Sequence, residues 1–390
     1  MTSTPHPPVQ IHEIDTRQRR DVERFVRFPF DLYCDTPQWV PPILMDVRRQ
    51  LSRKRNPFYE QGDAIFLMAE QAGQDVGRLA VLEPQFYNQY THRKEAFFYF
   101  FEAIHNRAVA HALFNYGARW AKAKGLEVMR GPLGFLAFDG FGLLAKGFEH
   151  RPAVGIPYNH AYYVDLVESW HFKLEERIHS GYMDLDRHRE EFSQKILRVS
   201  DKVMKRYGFE VVTFPTNAAI KRSVRDPMVK IYNEALTHIA GDAPVSDEQV
   251  ETIMNQIAFV AQPDLLKFIQ KDGEIVGFLF CLLDVSAGIQ KAEGRLLPFG
   301  FLRILAERRR TDWINLNGMG ILPEYQGLGG TAILYAELYR TVKAHTRFKH
   351  GDVVQISENN PQVLNEMKNF GIDFYKTHHL YRAALTDIAL

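Results

Sequence analysis

Cysteine is almost missing from this chain: 390 residues hold two, Cys34 and Cys281. They form no CxxC pair and no disulfide framework, which excludes a disulfide-stapled scaffold and fits a reducing compartment. Net charge is nearly missing too, since 48 Lys+Arg against 47 Asp+Glu leave +1. A generic nucleic-acid binder carries a basic excess, so no nucleic-acid partner is expected. Long apolar runs are absent. The longest, Ile275 to Leu283, falls far short of the ~20 residues that span a bilayer. The opening MTSTPHPPVQ lacks the charged and apolar regions of a secretory signal. The expected location is therefore cytoplasmic, with contact at a membrane surface as the furthest departure.

Aromatic residues are abundant instead. The 28 Phe, 17 Tyr and 4 Trp make 13% of the chain. That is more ring surface than one modest core requires, and it points to an apolar pocket or a domain seam. The segment Phe97 to Phe101 is aromatic at every position. At roughly 150 residues per domain, the length suggests two or three domains.

The pattern of elements repeats. Strands are expected over Ala64–Glu70 and Asp75–Leu82 around Gly73-Gln74, then over Phe97–Ala103. A helix follows over Ala108–Lys124, closed by Gly125, a residue suited to a left-handed cap. A short strand over Leu126–Arg130 and a helix around Tyr162–Trp170 complete the series. The second half repeats it with strands over Leu265–Gln270, Glu274–Asp284 and Trp313–Ile321, a helix over Gly329–His345, and a strand over Asp352–Ser357. A helix over Pro361–Phe370 and a strand over Tyr375–Ala383 close it. Gly77 and Gly277, and Asn159 and Asn360, anchor the repeat at a spacing of about 200 positions.

The sharpest local feature is Gly320-Ile321-Leu322-Pro323-Glu324-Tyr325-Gln326-Gly327-Leu328-Gly329-Gly330-Thr331-Ala332, between a strand and a long helix. Glycines let backbone amides approach a phosphate, and a helix N-terminus adds the positive end of its dipole. In this context the segment resembles the acyl-CoA-binding motif of GNAT N-acyltransferases, Gln/Arg-x-x-Gly-x-Gly/Ala after a strand and a short hydrophobic-Pro step. Thr331 departs from the pattern, which has Gly or Ala there.

The resemblance covers about 250–384. It implies an α/β fold with a mixed sheet, and a chain of two tandem GNAT-like domains forming a pseudo-dimer. Residues 1–183 would be a degenerate N-terminal copy, because its equivalent loop, Ile104-His105-Asn106-Arg107-Ala108, has no glycine. Residues 184–208 would be a helical connector, and 209–390 the copy that binds acyl-CoA. The resemblance further implies that CoA pyrophosphate sits over Gln326, Gly327, Gly329, Gly330 and Thr331. Amides near Met319 and Ile321 would hold the pantetheine, with Asn360 beside the site.

Attack of an amine on a thioester needs a neutral amine, so a general base helps, and the leaving thiolate can use a proton. Glu358, at the end of the strand before the last helix, and Glu102, at the end of the third strand of the first copy, are candidate bases. Each has an ordinary rival role as a solvated or capping carboxylate. Many GNATs place a thiolate-protonating Tyr where this chain, aligned on Gly371, has Met367. The acid would then be Tyr375, Tyr381, His378, His379 or water. The pair His378-His379 has no third ligand nearby, so no metal is expected. Asp139 reads as a turn residue before Gly140 more readily than as an amine anchor.

The insert 295–310 carries Leu297, Phe301, Ile304 and Leu305 at helical spacing and four Arg within 303–310. It reads as an amphipathic helix, either packed against the rest of the chain or docked on an anionic membrane. The leading expectation is an acyl-CoA-dependent N-acyltransferase using a primary amine. Whole-chain resemblance to ceramide-synthase-like bacterial chains turns the acceptor toward a sphingoid amine. Acetylation of a small polar amine, and a non-catalytic acyl-CoA-binding protein, stay open.

Overall fold

The computed structural model describes residues 7–136, 139–187, 193–237, 243–258, 260–386 and 388. The strands in chain order are β1 Gln10–Glu13, β2 Asp63–Gln71, β3 Gln74–Glu83, β4 Glu95–Ala103, β5 Val128–Gly131, β6 Leu143–Lys146 and β7 Lys173–Asp184. They continue with β8 Phe209–Val212, β9 Leu266–Lys271, β10 Glu274–Leu283, β11 Trp313–Ile321, β12 His350–Ser357 and β13 Asp373–Ala384. Contacts divide the chain into two compact units. The first takes 1–178, 289–301 and 376–390; the second takes 179–288 and 302–375. Part of the expected connector, 188–192, lies outside the described residues.

In the first unit the strand order is β1-β2-β3-β4-β5, with the end of β13 beside β5 and β6 also paired to β13. The last strand of the chain thus completes the sheet of the first unit, Tyr381 facing Gly131. Helix Arg107–Ala123 buries Val109, Leu113, Phe114 and Ala118 on this sheet. Gly117 lies in that face because any Cβ there would meet Val81 Cγ2 at 2.6 Å. Part of the aromatic surplus goes into this core. Phe98, Phe114, Trp170 and Phe172 contact one another with centroids 4.8 to 5.5 Å apart.

In the second unit the order is β7-β12-β11-β10-β9-β8. Helix Gly330–Ala344 buries Ile333, Leu334, Ala336 and Val342.

The two units repeat one plan closely. Hairpin turns at Ala72-Gly73 and Asp272-Gly273 have positive φ at both residues, the backbone that a tight two-residue hairpin requires. β3 and β10, and β7 and β13, keep the spacing of about 200 positions seen in the sequence. Each unit also splays one parallel pair. β4 pairs with β5 only over Glu95–Phe97 and then runs on to Ala103. β11 pairs with β12 only over Trp313–Leu316 and then runs on to Ile321. Both splayed strands carry an extra residue against their antiparallel neighbour, and both have a positive-φ residue there, Phe100 and Gly318. A bulge of this kind bends and twists a strand away from its partner, which explains the opening.

Candidate functional site

In the second unit the splayed strand β11 feeds directly into the glycine loop. Residues Pro323–Tyr325 form one tight turn, and the Gln326 side chain donates back to the Ile321 carbonyl at 2.9 Å, tying loop to strand end. The chain then passes Gly327 (φ +74°) and Gly329 (φ +89°) into helix Gly330–Ala344. A Cβ at Gly327 would meet nothing within 4 Å, whereas one at Gly329 would lie 2.8 Å from Val203 Cγ2. One Cβ at Gly330 would lie 2.9 Å from Ile269 Cδ1. Glycine is therefore demanded at 329 and 330 by close packing, and at 327 by backbone conformation alone.

The helix has no side-chain cap. Among the described residues, the amides of Gly327, Leu328, Gly329, Gly330 and Thr331 donate to no acceptor. Consecutive free amides at a helix N-terminus form a site suited to an anion such as a phosphate. Beside them, β11 from Asn317 to Ile321 has left β12, so its edge is open. Met319 is half-buried and Ile321 buried on that stretch.

The same place in the first unit is closed. Asn106 accepts the Ala108 amide at 2.9 Å and caps its helix with its own side chain. The loop there is short. The end of the splayed strand is satisfied locally: the Tyr163 hydroxyl accepts the Ala103 amide at 3.0 Å, and the Tyr162 hydroxyl donates to the Ala103 carbonyl at 2.9 Å.

The candidate acid–base residues fall into two groups. Glu102, His378 and Tyr381 belong to the first unit; Glu358 and Tyr375 belong to the second, with the loop. Glu102 accepts hydrogen bonds from Tyr33 at 2.5 Å and Tyr163 at 2.8 Å, and faces the buried Arg78 at 3.7 Å. Burial raises the Glu102 carboxyl above its ordinary range, against the pull of Arg78. His378 is fully buried, its Nε2 on the Pro157 carbonyl at 3.1 Å, and burial depresses it to about 4. Tyr381 sits in the first unit's core and donates to Glu168 at 2.9 Å, while His379 Nδ1 meets its hydroxyl at 3.0 Å. Asp139 accepts the Phe135 and Leu136 amides, and burial pushes it up to about 6.

In the second unit Tyr375 donates to Asp352 Oδ2 at 2.9 Å. Burial, then the Asp352 charge, raises the phenol far above its usual value, so it keeps its proton. Glu358 is half-buried just past the end of β12. Asn360 caps helix Pro361–Asn369, accepting the Val363 amide at 3.2 Å. Met367 is buried on that helix.

Two residues of the splay escaped the sequence reading. Asn317 is the extra residue of the β11 bulge, and its Oδ1 is buried without a partner. Asn315, two positions earlier, is fully buried with both side-chain polar atoms unpartnered. The signal was Asn317-Gly318 inside a strand pattern, since an interior glycine marks a bulge or a close approach.

The architecture has solved counterparts. A tandem GNAT protein from the clavulanic acid biosynthesis pathway is similar over 98% of this chain and 100% of its own, with TM-score 0.57 and 11% identity. The chain has the tandem GNAT fold. No family model matches this chain. Among curated proteins it is 26% identical to Protein YghO of Escherichia coli (strain K12) over 93% of each chain. It is 24% identical to Bacterial ceramide synthase of Caulobacter vibrioides (strain NA1000 / CB15N) over 95% of this chain and 97% of that one.

Proposed function

We propose that this chain is an acyl-CoA-dependent N-acyltransferase whose co-substrate is held by the second unit. The observation that carries the reading is the row of free amides from Gly327 to Thr331 at an uncapped helix, next to the open edge of β11. The loop fits a pyrophosphate by its donors and by the empty space at Gly327, while Gln326 braces it. The open edge of β11 offers Met319 and Ile321 as positions along which a pantetheine arm runs. The closed counterpart in the first unit supports one CoA per chain.

The thioester supplies an activated carbonyl. A neutral primary amine adds to it, the C–N bond forms, the C–S bond breaks, and the amine loses one proton while the thiolate gains one. Glu358, just past the end of β12, is the group we assign to accept the amine proton. Tyr375, which keeps its proton at neutral pH, is the group we assign to give the thiolate a proton. Asn317 offers a buried acceptor at the point where the strands part. Glu102, His378 and Tyr381 are bound into the first unit and fit supporting roles there.

The acceptor we propose is a long-chain amine of the sphingoid class. Its support is the name of the Caulobacter relative, matched over nearly the full length of both chains. The test incubates the protein with acetyl-CoA or palmitoyl-CoA and follows thiol release against sphinganine, polyamines and amino acids. Turnover with palmitoyl-CoA and sphinganine is expected. Turnover confined to acetyl-CoA and small amines would remove the lipid acceptor, and CoA binding without turnover on any amine would remove the enzyme.

A further inference from the structure

Four of the eight exposed large apolar side chains among the described residues fall within one stretch of nine: Leu297 (75% exposed), Phe299 (71%), Leu302 (50%) and Leu305 (39%). The sequence pattern suggested a face made of Leu297, Phe301, Ile304 and Leu305. The structure changes its membership. The helix starts only at Gly300, Ile304 is fully buried and Phe301 half-buried, so those two anchor the segment while Phe299 and Leu302 face water.

This exposure belongs to a fixed structure. Within the first unit, the Leu44 amide bonds the Gly294 carbonyl at 2.9 Å, and a Cβ at Gly294 would meet the Pro42 carbonyl at 2.2 Å. The Arg295 amide bonds Ala292 at 2.9 Å, and the Phe301 amide bonds Leu296 at 2.8 Å. The turn Leu297-Pro298-Phe299 is thus held at both ends with its two large side chains outward. Met45, next to Leu44, is exposed as well.

The stretch from Arg295 to Arg310 is dominated by basic residues, five Arg against the single acid Glu307. Arg303, Arg309 and Arg310 are exposed and make no ion pair among the described residues. Arg295 is shared with Glu293 at 3.6 Å, and Arg308 bonds the Ala261 carbonyl. No helix among the described residues is long and apolar enough to cross a membrane. Leaving so much apolar surface in water is unfavourable unless something covers it, and unpaired arginines beside it select an anionic cover.

We propose that the continuous stretch from Leu297 to Arg310 meets the surface of an anionic lipid bilayer, its exposed Leu297, Phe299, Leu302 and Leu305 entering it and Arg303, Arg309 and Arg310 holding its headgroups. The purpose assigned to this docking, collection of a lipid amine from the membrane, rests on the proposed function; the docking itself does not.

The test uses the full chain and sedimentation with phosphatidylcholine vesicles, with or without phosphatidylglycerol. Binding is expected only to the anionic vesicles, and it weakens with salt. Leu297→Ser with Phe299→Ser should weaken it at least about tenfold, and Arg309→Ala and Arg310→Ala about fivefold each. Leu302→Ser with Leu305→Ser gives a second apolar variant, and unchanged thermal unfolding confirms that each variant is folded. Equal binding by wild type and both apolar variants, or no binding to anionic vesicles, overturns the proposal. So does a wild-type dimer, seen by light scattering, that the apolar variants lose, because a second copy then covers the patch. The two proposals fail separately. Vesicle binding without turnover of any lipid amine removes the acceptor and keeps the docking. Turnover of a detergent-dispersed lipid amine without vesicle binding does the reverse.

Discussion

Substituting the loop glycines one at a time separates what the backbone needs from what the ligand needs. Gly327 and Gly329 both have positive φ, so alanine at either costs about 1–2 kcal/mol of backbone strain. Their surroundings differ. A Cβ at Gly327 enters empty space, while one at Gly329 lies 2.8 Å from Val203 Cγ2 and forces repacking, worth about 1–3 kcal/mol more. Gly327→Ala should therefore lower stability by about 1 kcal/mol, and Gly329→Ala by about 3 kcal/mol. For a unit of this size, 1 kcal/mol shifts Tm by about 2–4 °C. Val203→Ala, which removes the obstructing methyls, should recover about 1 kcal/mol or more in the Gly329→Ala background. Titration with CoA supplies the second readout. The empty space at Gly327 is where a phosphate would sit, so Gly327→Ala should weaken CoA binding more than its small stability cost suggests. Equal stability losses at the two glycines, or no rescue by Val203→Ala, would refute the packing argument. CoA affinity unchanged by Gly327→Ala would refute the phosphate loop.

Much of the fold was legible because hydrophobic period and turn chemistry agree along the chain. The bounds expected for β11, Trp313–Ile321, are those found. Both hairpins follow from Gly73 and Gly273, and Ser246-Asp247-Glu248 predicts a helix start, which Ser246 makes with a full capping box to Gln249. The misses have local causes. The apolar pattern from Asp15 to Arg27 predicts the first helix there, and the helix runs over Arg19–Leu32 instead. The Asp15 carboxylate binds Arg17 and Gln18 in a turn, delaying the start, and Pro29 does not end the helix. Strand β7 carries three charges in a row, Glu175-Glu176-Arg177, which break the apolar–polar alternation of a strand, so its pattern is faint. At the site, the loop was legible because glycine spacing states a backbone requirement. The acid–base residues were not, since Glu102 and His378 differ from catalytic groups only by burial and by partners such as Tyr33, Tyr163 and Pro157, which come from distant parts of the sequence.

If Glu358 takes the amine proton, Glu358→Gln should lower kcat at least about tenfold while Tm stays within a few degrees of wild type. A lower Tm with intact kcat would give that carboxylate a structural task instead. In the first unit, His378 and Asp139 are shifted by desolvation and their pH responses oppose each other. His378 falls from 6.5 to about 4 on folding, so it stays neutral in the native state while the unfolded chain takes up a proton. Its contribution is present above pH 6.5 and is lost as pH falls toward 4, by about 3 kcal/mol at most. Asp139 rises from 3.8 to about 6, so the native state keeps a proton that the unfolded chain has released. That contribution is present below pH 3.8 and is lost as pH rises toward 6, by a similar amount. The raised Glu102 carboxyl adds to the Asp139 side. Between pH 4 and 6 these slopes largely cancel, and wild-type stability should change little on their account. Asp139→Asn keeps an oxygen for the Phe135 and Leu136 amides but removes one slope. Its stability, measured by urea unfolding at each pH, should fall more steeply than wild type as pH drops from 6.5 to 4. Parallel profiles for variant and wild type would mean that Asp139 is already ionised in the native protein, and the burial argument for it would be wrong.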